Sequence, residues 1–276
     1  MALKVISEHF DTIYGFLKTS KDRENNIAMQ GEHSSTEPGD DTWYGTKSYS
    51  EAEDLFRNGY TSILKDVLDG IKENEKLHHE LTNTPKMIPR NQVVGYAPHV
   101  PNSIIGIPES MIYTERAIHK QKTIDITYSA GVNSYVSADD MKKAGIALLS
   151  AIKIIETMGI YINLDLAAFI TEAGGEIANP TISLKKYHER LDIQKLCFPL
   201  AHPSMLRRFG FKWLETNPYI TSTAYRGGYG HALENPDEIK QKLQFGEKMH
   251  ILNANWIIDH KFNVSDVIKY LRDEFK

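Results

Sequence analysis

"TIDITYSAGVNSYVSADDMKKAGIALLSAIKIIETMGIYINLDLAAFI", residues 123–170, decides the fold. Its first segment alternates Ile124, Ile126 and Tyr128 against Asp125 and Thr127, the period-two pattern of a strand. Its last segment alternates from Ile160 through Ile162, Leu164 and Leu166. Between them Ser137 is placed to cap a helix whose first turn carries Asp139 and Asp140, on the favourable end of the helix dipole. That helix runs to about Met158 with apolar residues on most sides, and Gly159 is placed to stop it. Strand, crossover helix, strand predicts an α/β core with this helix at its centre.

The pattern continues toward the C-terminus. "GGEIANP" (174–180) reads as a turn, "TISLKKYH" (181–188) as a third strand, and helical spacing covers about 191–197 and 203–215. Asn235-Pro236-Asp237-Glu238 is a strong helix start. "HILNANWII" (250–258) reads as a strand, and a last helix from Asn263 or Ser265 turns Val267, Ile268, Tyr270 and Leu271 inward. Residues 123–276 are therefore expected to form a three-layer α/β/α sandwich of Rossmann type.

Upstream, residues 1–42 read as a short N-terminal element followed by an exposed or flexible linker from residue 21. Residues 43–122 read as a helical and proline-rich extension. Ser48 and Glu51 form a capping box for a helix ending near Gly59, and a second helix spans roughly 61–80. Five prolines fall within 85–112, which forbids a long helix there and suggests an extended segment packed over the core.

Composition narrows the function classes. The 276 residues are 41% hydrophobic and 25% charged with net charge −4, so no global field draws the chain to nucleic acid. "KKYHER" (185–190) reads as a solvated edge strand rather than a nucleic-acid patch. The single cysteine, Cys197, excludes an internal disulfide and fits a reducing compartment. No signal-peptide pattern opens the chain, and the longest apolar run, 146–155, is interrupted by Ser150 and Lys153. A soluble, cytoplasmic protein is expected.

Two stretches are candidates for a site. "HPSMLRRFGFKWLE" (202–215) offers Arg207 or Arg208 as an anion clamp, with His202 at the start of a helix where free N–H groups favour anions. The structural alternative, which we weight above it, pairs one arginine with Glu215 or Asp192 and bonds His202 to backbone. "AYRGGYGHAL" (224–233) has Gly227, Gly228 and Gly230, which permit positive φ and close approach, with Tyr229 and His231 as possible pocket residues. It lacks the strand, Lys and helix of a phosphate loop. The 11 histidines do not cluster, and no G-x-S-x-G elbow is present. No catalytic residue, metal site or cofactor is assigned.

The order from Ile124 to Phe275 resembles a von Willebrand factor A-like domain, in which a strand ends in a metal-binding D-x-S-x-S loop. Here the corresponding "YSAGVNS" puts Tyr128 near the aspartate position, and Ser129, Asn133 and Ser134 supply neutral oxygens only. A divalent cation needs a carboxylate in its oxygen cage, so the resemblance implies a binding loop without metal. The blocks "WYGTKSYSEAEDLFRNG" (43–59), "VVGYAPHVPNSIIGIPESMI" (93–112) and "LAHPSMLRRFGFKWLE" (200–215) are similar to those of an uncharacterised bacteriophage and prophage protein family. That similarity implies a bacterial cytoplasm and no chemistry.

The expectation is a phage-encoded, non-enzymatic interaction module with a protein partner. It requires a contiguous exposed apolar patch, built from 93–112. The alternative is a nucleotide- or phosphodiester-processing enzyme using His202, Arg207, Arg208 and His231 with Asp192. It requires those side chains to converge in one pocket.

Overall fold

The computed structural model describes residues 3–74, 87–116, 122–244 and 249–273. The last part of the expected 61–80 helix, residues 75–80, lies outside them. In chain order the strands are β1 (Lys4–Phe10), β2 (Met87–Gln92), β3 (Ala97–Pro98), β4 (Met111–Arg116), β5 (Lys122–Ser129), β6 (Ile160–Ala167), β7 (Thr171–Ala173), β8 (Glu176–Lys185), β9 (His231–Ala232) and β10 (Met249–Asn253).

The decisive stretch folds as its periodicity dictates. β5 and β6 are parallel, with Ile124 opposite Ile162, Ile126 opposite Leu164 and Tyr128 opposite Leu166. The Ala138–Thr157 helix joins them, and the Ser137 hydroxyl accepts the Asp140 N–H at 3.1 Å. The main sheet runs β10-β5-β6-β8-β7-β9, and β1 lies parallel along the other edge of β8. β8 is antiparallel to β6.

The apolar faces of β5 and β6 meet the central helix, which is wrapped by the Leu64–Glu73, Ile193–Ala201, Ala254–Asp259 and Val264–Asp273 helices. Ala144, Leu148, Leu149, Ile152 and Ile154 on it are fully buried, which is why it is apolar all round. Gly145 lets the Ile193–Ala201 helix come close: a Cβ there would sit 2.4 Å from the Ala201 Cα.

The opposite sheet face is only partly covered. Ile239 of the Pro236–Leu243 helix and Leu233 pack on Ala167, Ile177 and Ile251. Toward the other end the face is polar: Asn163 donates to Asp125 at 2.5 Å, and Ser183 donates to Asp165 at 2.9 Å. The molecule is therefore a mixed α/β sheet with one full helical layer and a partial second one, where a three-layer sandwich is expected. Strict alternation in β6 carries the reason. A strand covered on both faces reads as a continuous apolar run, and an alternating one keeps a polar face.

Residues 3–42 do not stand apart. Ile6, Phe10, Phe16, Leu17 and Met29 belong to the main core, and Ser35 is buried. The expected linker is instead docked, its polar groups satisfied by partners far along the chain. β8 begins at Glu176, so the turn shrinks to Gly174 and Gly175, both at positive φ. The expected strand over 250–258 ends at Asn253, whose side chain accepts the Trp256 N–H at 2.7 Å and starts a helix. The 203–215 helix opens as a π-helical turn, Met205–Gly210, before Phe211–Thr216.

The proline-rich segment also departs from expectation. β2, β4 and β3 form their own antiparallel sheet, with a short Val100–Ile104 helix beside it. None of the side chains described between residues 89 and 113 is buried, so this segment does not cover the core.

Candidate functional site

A cavity of about 560 Å³ opens where the chain leaves the carboxyl ends of β5 and β6, between the 131–134 loop, Phe169 and the glycine-rich loop. This end of a parallel pair is where α/β sheets commonly hold ligands. The cavity brings together Arg207, Tyr229, His231, Asn133 and Ser134, five of the candidates named from sequence. It does not include His202, Arg208 or Ser129.

The two arginines sit on the π-helical turn and are both buried. Arg207 donates from Nη1 to the Trp43 carbonyl and from Nη2 to the Val136 carbonyl, with its guanidinium over the Trp43 ring at 4.4 Å. Burial pulls its pKa down to about 10. Arg208 reaches the Ser35 carbonyl (3.0 Å), the Glu37 carbonyl (2.9 Å), and both the carbonyl and the hydroxyl of Thr46 (3.0 Å each). Its guanidinium lies 4.2 Å from the Tyr44 ring centroid. Arg208 is thus a clamp that holds the 35–46 segment to the core.

Neither arginine meets the carboxylates expected of them. Asp192 caps the Ile193–Ala201 helix by accepting the Lys195 N–H. Glu215 is buried and accepts from the Ser35 N–H at 3.1 Å, from the Ser35 hydroxyl and from the Tyr229 hydroxyl at 2.8 Å. Backbone carbonyls supply the arginine acceptors instead.

His202 sits at the C-terminal end of the Ile193–Ala201 helix and not at the start of the next one. Its ring stacks on Phe198 at 4.8 Å and 7°, with Nδ1 accepting the Ser204 N–H. Burial first, then the charge of Lys142, depresses its pKa to about 4. It is neutral and offers an anion no charge. An enzyme built on His202, Arg207, Arg208, His231 and Asp192 lacks a common pocket, because only Arg207 and His231 share the cavity.

Tyr229 forms the cavity wall. It stacks on Phe211 at 3.9 Å and 1°, and its backbone holds φ +58°, unusual for a non-glycine residue. Gly230 beside it is at φ +83°, and a Cβ there would strike Thr171 Oγ1 at 2.5 Å. The Ser129 hydroxyl is buried without a hydrogen-bond partner, 3.4 Å from where a Gly131 Cβ would lie. Asn133 donates to the Glu234 carboxylate. Among the described residues no group of His, Cys, Asp or Glu could hold a metal ion.

No sequence signal singled out Trp43, Phe169 or Phe211, and Glu215 stood out only as an arginine partner, not as the acceptor of Ser35 and Tyr229. Trp43 and Phe211 each fall inside a quoted block, but no periodicity marks a ring that turns toward a cleft rather than a core.

A second surface is separate from the cleft. Val93, Val94, Tyr96, Val100, Ile104 and Ile105 are each 59–78% exposed on the small sheet and its helix. Single exposed apolar side chains are ordinary; six within 13 positions are not.

These features define a mixed α/β protein with an aromatic-walled cleft at its parallel strand ends and an exposed apolar module outside its core. The chain belongs to the family described as a domain of unknown function (DUF7192), whose model matches residues 2–272. No curated protein and no solved structure matches it. Among the described residues, no helix is long and apolar enough to cross a membrane.

Proposed function

We propose that this protein is a non-enzymatic interaction module that docks a protein partner through the apolar face of residues 93–113. One observation carries the reading: Val93, Val94, Tyr96, Val100, Ile104 and Ile105 are exposed and add nothing to the core. Leaving this much apolar surface in water forgoes burial worth roughly 1.5–3 kcal/mol for each large side chain, a loss that a partner would recover. The supporting scaffold is a von Willebrand A-like core. What favours that assignment is the order β8-β6-β5-β10 with β8 antiparallel and a helix between β5 and β6. In a phage-infected or lysogenic bacterial cytoplasm the partner would be a host or defence factor, or another phage protein.

The test is affinity capture from bacterial lysate with the wild-type chain and an Ile104→Asp/Ile105→Asp variant. A stoichiometric protein partner held by the wild type and lost by the variant, at unchanged melting temperature, supports the reading. No stoichiometric partner, or one held equally by both, ends it.

A further inference from the structure

We infer that the cavity at the β5 and β6 strand ends is a binding site for a small planar anion, an aromatic ring carrying a carboxylate or a phosphate. The inference is independent of the apolar face and of any partner it docks.

The wall supplies the ring chemistry. Trp43, Phe169, Phe211 and Tyr229 all line the cavity, and Phe211 and Tyr229 already stand ring on ring. Such walls with a few placed polar groups are characteristic of small-molecule sites, and about 560 Å³ falls within their usual span of roughly 300–1,000 Å³. The indole of Trp43 is held in place by donation to the Ser134 carbonyl at 3.2 Å and by the Arg207 guanidinium over its face. Tyr229 is fixed by its hydroxyl, which contacts Ser34 at 2.6 Å and Glu215 at 2.8 Å. The rings are therefore pre-set and need not be ordered by the ligand.

Charge supplies the anion. Arg207 is 1% exposed, lies in the cavity wall and has no carboxylate partner among the described residues; arginine is almost never buried to that degree unpaired. A guanidinium has five N–H donors, and Arg207 uses one from each terminal nitrogen, on two neutral carbonyls. Its neighbour Arg208 is also buried, and among the described residues each of its hydrogen-bond acceptors is a carbonyl or a hydroxyl. Of these two buried cations, Arg208 lies within reach of the Glu51 charge, whereas Arg207 makes no ion pair among the described residues. The nearby Glu32 also lines the cavity and is already occupied by the Gly227 N–H at 2.8 Å. An anion in the cavity would balance the excess positive charge beside it.

The glycine-rich loop supplies the entrance. Gly228 lines the cavity, and a Cβ built there meets no atom within 4 Å and no positive-φ penalty. A side chain at 228 can therefore be added without disturbing the fold.

The experiment measures binding to the full chain by calorimetry, with Trp fluorescence as a second readout. The probes are 1-naphthoate and adenosine monophosphate, each beside its neutral counterpart, 1-naphthamide and adenosine. The acid is expected to bind at least about tenfold more tightly than its neutral counterpart in one series, which also tells carboxylate from phosphate. Arg207→Gln should erase that preference. Because Arg207 is buried and its variant could lose stability, Gly228→Trp provides the independent arm: it should keep the wild-type melting temperature and weaken acid binding at least about tenfold. Equal affinity for acid and neutral probe overturns the proposal. So does binding unchanged in Gly228→Trp, or no binding of either acid up to about 10 mM.

Discussion

The phenol of Tyr229 and the carboxylate of Glu215 meet at 2.8 Å in the interior, tying the glycine-rich loop to the Phe211–Thr216 helix. Burial, then the charge of Glu215, holds the Tyr229 hydroxyl well above the usual tyrosine range, so it remains a proton donor. Tyr229→Phe keeps the ring on Phe211 and removes one of the donors to a buried carboxylate. Hydrogen bonds to charged groups of this kind are worth about 1.5–3 kcal/mol, and urea unfolding should show a loss of that size. A wild-type midpoint in Tyr229→Phe would mean that Ser35 alone satisfies Glu215.

Arg208 anchors the 35–46 segment through four hydrogen bonds. Arg208→Ala leaves three buried or half-buried carbonyls without their donor, and the expected destabilisation is more than about 3 kcal/mol. Arg208→Lys should recover little, because an ammonium cannot reproduce the planar fork that reaches Ser35, Glu37 and Thr46 together. Limited proteolysis should cut both variants first within 21–46. Cleavage elsewhere with that segment intact would show that other contacts, such as Asn26 to the Ile220 carbonyl, hold it.

His202 makes stability depend on pH. Its folded pKa is about 4 against an ordinary value of 6.5, so between those two values the unfolded chain binds the proton more readily. The stabilising contribution is present above pH 6.5 and is lost as pH falls through the window toward 4. The full shift corresponds to ~3 kcal/mol. Melting temperatures of wild type and His202→Phe should converge or cross as pH falls from 7 toward 4. Parallel curves across that window would assign the acid sensitivity to other groups.

Gly145 sits where the central helix meets the Ile193–Ala201 helix, with the Leu200 carbonyl 2.5 Å from a would-be Cβ. Gly145→Ala improves helix propensity by about 1 kcal/mol yet forces the two backbones apart. Overpacking costs of ~1–3 kcal/mol should outweigh it and lower the melting temperature. A rise in melting temperature would show that the helices can shift at no cost.

The β5–helix–β6 unit was legible because its signals are local. Period-two alternation, a serine cap and a terminal glycine act over a few residues, and each is found where the sequence places it. The polar face of the sheet was legible too, in Asn163 and Asp165, but the expected second helical layer passed over it. The site was half legible. Arg207, Tyr229, His231, Asn133 and Ser134 stand out by residue type, and the structure brings them to one cavity.

The sequence by itself determined the alternating strands, the all-round apolar helix and the choice of arginines and glycines at special positions. Tertiary structure alone decided what those residues face. Arg208 finds its acceptors 162–173 positions away, on Ser35 and Glu37 of a segment whose composition reads as a solvated linker and on Thr46 just beyond it. Only the folded chain makes a backbone carbonyl a better partner than Glu215 or Asp192, because a buried donor takes whichever acceptor the packing delivers. The exposed apolar residues at 93–113 follow the same logic. Hydrophobicity says that a surface prefers to be covered, and only the arrangement of the rest of the chain reveals that nothing in the core covers it.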